Sequence, residues 1–385
     1  MKNIFIIGEA VGSYRTQNLV KILLDEKHKV YYNSCSIITS MTSFNLLSRI
    51  LRKILISFER FLFMPQLLYQ IAISNIVILP AMNSKDLYKQ VQLFVAYNIF
   101  RKPVLVDFYI SYYDSLVLDR EKVNKTSFKA KLLMLSDRNV IKYASSVVFL
   151  NKSERDYYLS VINLSNPKIK SKSTIIPLCV DIKKNVGLPY FYGINKELTI
   201  CWWGSYIPLH GLNQIIGAAE ILRKYNLKFK IWLFGNSEEK SIPYKDLIRE
   251  KKLDEFVKVV NNYTFQNYKL TDFLVHKCDL VLGNFGDSEK AKAVLVNKLV
   301  DGIAMKAPLL TGESKASEEF FDFKNDIWRC NNNPEDIART IQEISNCSID
   351  EVTRRTTNAY NIYLNRFSVK SYQNRINEVI NEVSR

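Results

Sequence analysis

The chain of 385 residues is poor in the side chains that build metal sites and staples: it has three histidines, six scattered cysteines, no Cys-x-x-Cys pair and no Asp-x-Asp triplet. Cys35, Cys179, Cys201, Cys278, Cys330 and Cys347 stand singly, so neither a zinc site nor a disulfide framework is signalled, and they read as reduced cytosolic thiols. Long apolar runs are missing as well. A bilayer span needs roughly 20 consecutive apolar residues, and the most apolar region, 54–79, is broken by Glu59, Arg60 and Pro65, so no transmembrane helix is expected. The opening MKNIFIIGEAVGSYR has a short apolar run and no small-residue cleavage site, which argues against a signal peptide. No internal repeat of solenoid length is found.

What is there describes an ordered globular protein: 47% apolar, 12% aromatic and 24% charged residues with signs interspersed. The length exceeds what one hydrophobic core organises, so two domains are expected. The net charge of +16 favours anionic partners, among them nucleic acid, acidic lipid headgroups and phosphorylated small molecules. No nucleic-acid-binding module is recognised and the basic residues are dispersed, so nucleic acid is not an expected partner.

Strand-like runs at 2–8, 30–32, 76–79, 103–108 and 145–150 alternate with helical periodicity. After the last run, the stretch from Ser153 to Asp156 reads as a capped helix start. The segment 182–197, with Lys183, Lys184, Gly187, Pro189 and Gly193, breaks the pattern and reads as a linker. Alternation then resumes: strands at 198–203, 229–234, 257–260, 279–283 and 308–311, helices at 212–225 and 296–304, and a helix-rich tail from Pro334. The expected fold is α/β, with two Rossmann-like doubly wound domains facing a cleft. The first spans 1–185 and takes back a C-terminal helix at about 366–385, and the second spans 186–365.

Ligands of such sheets bind in the loops after strands. In the first domain the loop 8–15 brings Gly12 and Arg15 to this edge, although its glycines also serve a simple turn. In the second, a glycine-containing loop leads into a helix carrying Asn297, Lys298 and Asp301 near its start. Free N–H groups and a partial positive charge at a helix N-terminus suit a diphosphate. Lys298 adds a point charge, and Asp301, one turn on, can accept from ribose hydroxyls. The alternative is a solvated helix face. His28 and His276, each beside lysine, read as surface residues; His210, between Leu209 and Gly211 in a ligand-type loop, is the functional candidate.

The stretch LGNFGDSEKAKAVLVNKLVDGIAMKAPLLTGES resembles the donor-binding segment of retaining family-four GT-B glycosyltransferases, in a surface-polysaccharide branch. WGSYIPLHGLNQIIGAAEIL resembles the same family's glycine loop and following helix, DFYISYYDSLVLDR its acceptor domain, and RFSVKSYQNRINEVI its final helix. The resemblance implies a transferase that moves a sugar, with retention, from a nucleotide diphosphate donor to a saccharide or lipid-linked saccharide in capsule, O-antigen or exopolysaccharide synthesis. It implies Gly204, Ser205, Gly211 and Lys298 at the diphosphate, and Asp301 at the ribose. Phe285, Gly286 and Lys290 fall at the sugar, and Asn262 and Tyr263 near the base. His210 joins Lys298 in catalysis; on the acceptor side Asp107 or Asp114 is expected to approach the acceptor hydroxyl, the alternative for either being a turn cap.

The sequence departs from the family pattern of two glutamates separated by seven residues, since Ala293 and Asp301 occupy those positions, and Lys306 stands in the usual glycine turn. A sugar-nucleotide epimerase and a non-catalytic nucleotide-sugar-binding homologue are the rival readings. With no Asp-x-Asp triplet to grip a metal, no metal and no cofactor are expected, charge on the leaving diphosphate falling instead to Lys298 and backbone amides. Finally, Arg49, Arg52, Lys53 and Arg60 lie among Ile50, Leu51, Ile54, Leu55, Ile56, Phe58, Phe61, Leu62 and Phe63. This pattern fits a helix on an anionic membrane, or equally a core face with a solvated rim. The expected location is cytoplasmic, peripheral at the inner face of the membrane.

Overall fold

The structure, a computed structural model, describes every residue except 9–13, 33–45, 82–85, 182–196, 226 and 385. Gly12, Cys35 and the expected linker with its boundary at 185/186 therefore lie outside the described residues. The chain forms two compact units. One comprises Met1–Phe149, Tyr158–Ile176 and Gln373–Arg385, and the other Leu150–Tyr157 and Pro177–Tyr372.

The first unit holds a parallel sheet of β1 (Asn3–Ile6), β2 (Lys29–Tyr32), β3 (Ile76–Leu79), β4 (Val104–Asp107), β5 (Ser146–Phe149) and β6 (Ser173–Ile175) in the order β2-β1-β3-β4-β5-β6. Strands β3, β4 and β5 are buried along their whole length. Their runs of Val, Ile and Leu are what a parallel strand covered on both faces requires. Strand order reverses between β1 and β3. The helix Val369–Val383 closes this unit: Lys2 Nζ donates to Asn381 Oδ1 (2.9 Å) and Ile380 O (3.3 Å), and Glu26 accepts from Gln373 (2.7 Å) and Asn377 (3.1 Å).

The second unit holds β7 (Leu198–Trp203), β8 (Phe229–Phe234), β9 (Val257–Val260), β10 (Leu280–Leu282), β11 (Leu309–Gly312) and β12 (Trp328–Cys330), again all parallel, in the order β12-β11-β10-β7-β8-β9. Its core joins Ile200, Trp202, Leu233, Leu282 and Leu310 of the sheet to the apolar faces of helices Leu212–Lys224 and Pro334–Ser345. Gly217 lets these helices close up, because a Cβ there would lie 2.8 Å from the Pro334 ring. Chain order reverses between β7 and β10, so the loops after these neighbouring strands diverge and leave a crevice at their carboxyl ends.

Candidate active site

The crevice beside β7 and β10 gathers most of the sequence candidates. Strand β7 leads through the loop ending at Gly211 into Leu212–Lys224, and β10 leads through the short Ser288-capped helix Glu289–Ala293 into Asn297–Ala304; neither Gly211 nor Val296, the N-caps of the two longer helices, makes a side-chain cap. Elsewhere in the unit Ser237 and Asn333 cap their helices with side-chain oxygens. Two helix starts without side-chain caps, side by side, present amide donors and partial positive charge to one place.

Glycine makes the close approach of the two loops feasible. Gly211 has φ +65°, and a Cβ on it would come within 2.4 Å of the Phe285 carbonyl; one on Gly286 would meet the Leu209 carbonyl oxygen at 2.1 Å. The Phe285 N–H donates to the His210 carbonyl at 3.3 Å. The Phe285 side chain is buried in the core, so what this residue turns to the loop is backbone.

Lys298, in the first turn of its helix, is 3% exposed. Its Nζ lies 3.0 Å from His210 Nδ1 and 5.0 Å above the Trp202 ring. Burial pushes its amine down to about 7, against the upward pull of Asp301. Burial first, and then the neighbouring Lys298, hold His210 well below the ordinary imidazole value, so the ring is neutral near pH 7. The tautomer that carries the ring proton on Nε2 is the one in which Nδ1 accepts from the charged lysine. Nε2 lies 3.5 Å from where a Gly204 Cβ would stand, and Gly204 has φ +151°. Asp301, one turn beyond Lys298, accepts from Trp203 Nε1 at 3.1 Å; burial pushes its carboxyl up to about 7, against the indole hydrogen bond and Lys298.

The remaining candidates lie on loops and helix starts of the second unit. Ser205 Oγ accepts from Asn236 Nδ2 at 3.4 Å. Asn262 is exposed, and its carbonyl accepts from Asn267 at 2.8 Å. Tyr263 stacks on Phe234 at 5.7 Å. Lys290 is half-buried on the short helix Glu289–Ala293, and Asn297 is exposed at the head of its own helix. Ala293 is buried. Lys306 adopts φ +53°, the backbone that glycine prefers, with its amine 4.6 Å over the Tyr360 ring. Among the described residues no group of three or more His, Cys, Asp or Glu side chains is arranged to hold a metal ion.

Sequence reasoning missed four participants: Trp202, Trp203, Asn284 and Asn332. Asn284 Nδ2 donates to the Ala291 carbonyl at 3.0 Å, while its buried Oδ1 has no partner and its side chain faces His210. Asn332 ties down the Gly286 carbonyl at 3.1 Å and likewise keeps a buried, unpartnered Oδ1. The consecutive tryptophans ending β7 were the visible signal, since bulky rings at the carboxyl end of a central strand stand where ligands bind.

In the first unit, Arg15 and Asp107 form a buried two-point ion pair, Nε to Oδ2 at 2.7 Å and Nη2 to Oδ1 at 3.2 Å. The same guanidinium donates to the Ile176 carbonyl at 3.2 Å and stands 5.8 Å over the Tyr109 ring. Asp114 is buried at the head of a π-helical turn, Asp114–Asp119, and its N–H donates to Ser111 Oγ at 3.0 Å.

Two parallel six-stranded α/β sheets carried on one chain, the second with its crevice at the order reversal, define the class: this is the GT-B fold. Solved structures agree along the full length. HepE of Anabaena, solved with UDP-glucose, is similar at a TM-score of 0.66 and 13% identity over 98% of this chain and 99% of that one. Sucrose-phosphate synthase of Thermosynechococcus elongatus is similar at 0.65 and 11% over 100% and 99%. The lipopolysaccharide outer core galactosyltransferase WaaB is similar at 0.61 and 12% over 99% of each. No family model and no curated protein sequence matches the chain.

Proposed function

We propose that this chain is a glycosyltransferase that moves a sugar, with retention, from a nucleoside diphosphate donor to a saccharide or lipid-linked saccharide of a bacterial surface glycan. The observation that carries the reading is the buried Lys298–His210 pair beside two helix starts that lack side-chain caps, at the β7/β10 reversal. That the solved HepE holds UDP-glucose supports a nucleotide-sugar donor, with uridine diphosphate as the first choice.

In this reading the diphosphate lies across the two helix starts. Its arrival recharges Lys298, whose neutral form burial favours in the empty site. The His210 Nε2–H donates from the other side. As the acceptor hydroxyl attacks the anomeric carbon on the face that the leaving group vacates, the bond from that carbon to the phosphate oxygen breaks, the hydroxyl proton passes to the departing diphosphate oxygen, and the growing charge on the diphosphate meets these fixed donors. No metal is assigned a role, since Lys298, His210 and the amides supply the positive potential. No proton is assigned to Asp107, both of whose oxygens are held by Arg15. Asp301 accepts from the ribose beside its bond to Trp203.

Acceptor-dependent chemistry tests this. Incubated with UDP-sugars and an extracted surface-glycan fraction, the protein should release UDP and extend the glycan by one sugar, read by mass spectrometry. Release of an isomeric nucleotide sugar or free sugar without a linked product would favour the epimerase reading, and no turnover with retained UDP binding would favour a non-catalytic homologue.

A further inference from the structure

The helix Leu46–Leu62 is turned inside out for a surface helix. Over residues 50–62 its half-buried positions are Arg52, Ile56, Glu59 and Arg60, while Ile50, Leu51, Ile54, Leu55, Phe58, Phe61 and Leu62 are exposed. At 3.6 residues per turn these exposed side chains fall within one arc of about 140°. Phe58 is 60% exposed and Phe61 73%, more than any packing role allows for a phenylalanine. Arg60 fastens the polar side down: its Nη2 lies 3.1 Å from Asp86 Oδ2 and its guanidinium 4.5 Å over the Tyr88 ring. That attachment brings in the helix Leu87–Phe94, which exposes Leu87, Val91 and Phe94 in turn.

The stretch of chain that carries this helix is basic. Residues 46–142 hold 15 lysines and arginines against 7 aspartates and glutamates, a net +8 of the chain's +16. Apolar surface of this extent marks a docking site, and its charge selects the partner. A second copy would bring two positive faces together. A nucleic acid would match the charge and leave the apolar arc in water. An acidic bilayer answers both, with an apolar boundary under a negative surface potential.

We propose that this face of the first unit docks on an anionic lipid bilayer, the arc of Leu46–Leu62 lying at the headgroup boundary and the exposed Lys53 over acidic headgroups. The face is separate from the donor site in the second unit, so the two readings fail separately.

Flotation of the full chain with vesicles tests it. The protein should float with vesicles holding about one-third phosphatidylglycerol and not with phosphatidylcholine alone, and raised salt should weaken the association. The double variant Phe58→Ser/Phe61→Ser should partition roughly tenfold or more weakly, with its thermal midpoint and UDP-induced shift kept, because both side chains are exposed. Lys53→Glu should weaken binding to the acidic vesicles. No flotation of the wild type, or equal flotation of the double variant, overturns the proposal. So does a dimer in sedimentation that the double variant abolishes, which would assign the face to a second copy.

Discussion

Burial discharges two single residues of the candidate site. Lys298 falls to about 7 and Asp301 rises to about 7, each chiefly through desolvation. A carboxyl whose folded value is raised costs stability as pH climbs from its unfolded value of 3.8 to about 7, the range in which the unfolded chain ionises first; above that the cost is constant. Asp301→Asn keeps an acceptor for the Trp203 indole and removes the carboxylate. Its stability relative to wild type should therefore rise across that range, by up to about 4 kcal/mol, and then level off. Denaturant unfolding at several pH values checks this, and a flat difference would show that Asp301 is not the buried acid described. Lys298 was legible in the sequence as a cation at a helix start. Its partner His210 stands 88 positions away, and Trp203 stands 98 from Asp301. Pairings at such separations are set by strand order, which residue spacing does not encode.

At the scale of elements, the two ligand loops hold each other in place through glycine. An alanine at Gly211 would need φ near +65° and would press its Cβ into the Phe285 carbonyl at 2.4 Å. Gly211→Ala should therefore destabilise the second unit by at least about 2 kcal/mol and weaken nucleotide binding with it. Equilibrium unfolding followed by Trp fluorescence reads the first effect and titration with UDP the second. The central strands were legible because strands buried on both faces read as unbroken apolar runs, as in Ile76–Leu79. The edge strands β6, Ser173–Ile175, and β12, Trp328–Cys330, were not: each has three residues and carries polar side chains among the apolar ones. The apolar pattern of Leu46–Leu62 was plain, but periodicity gives a face without saying which way it points, and here it points to solvent.

At the scale of the whole molecule, the fold followed from alternation and length, and the likeness to GT-B structures at 11–13% identity extends over 98–100% of the chain. The second strand-order reversal, with its two helix starts lacking side-chain caps, is where such a fold binds nucleotides, and the central claim is that Lys298 holds a nucleoside diphosphate there. The direct measurement is thermal unfolding of the wild type and of Lys298→Ala with UDP, GDP and ADP, each with and without magnesium. At about 100 times its dissociation constant a ligand stabilises the folded state by roughly 2.7 kcal/mol. A clear upward shift is expected with one diphosphate, UDP first, indifferent to magnesium and lost in the variant measured against its own baseline. No shift with any nucleotide, or an equal shift in Lys298→Ala, would contradict the central claim.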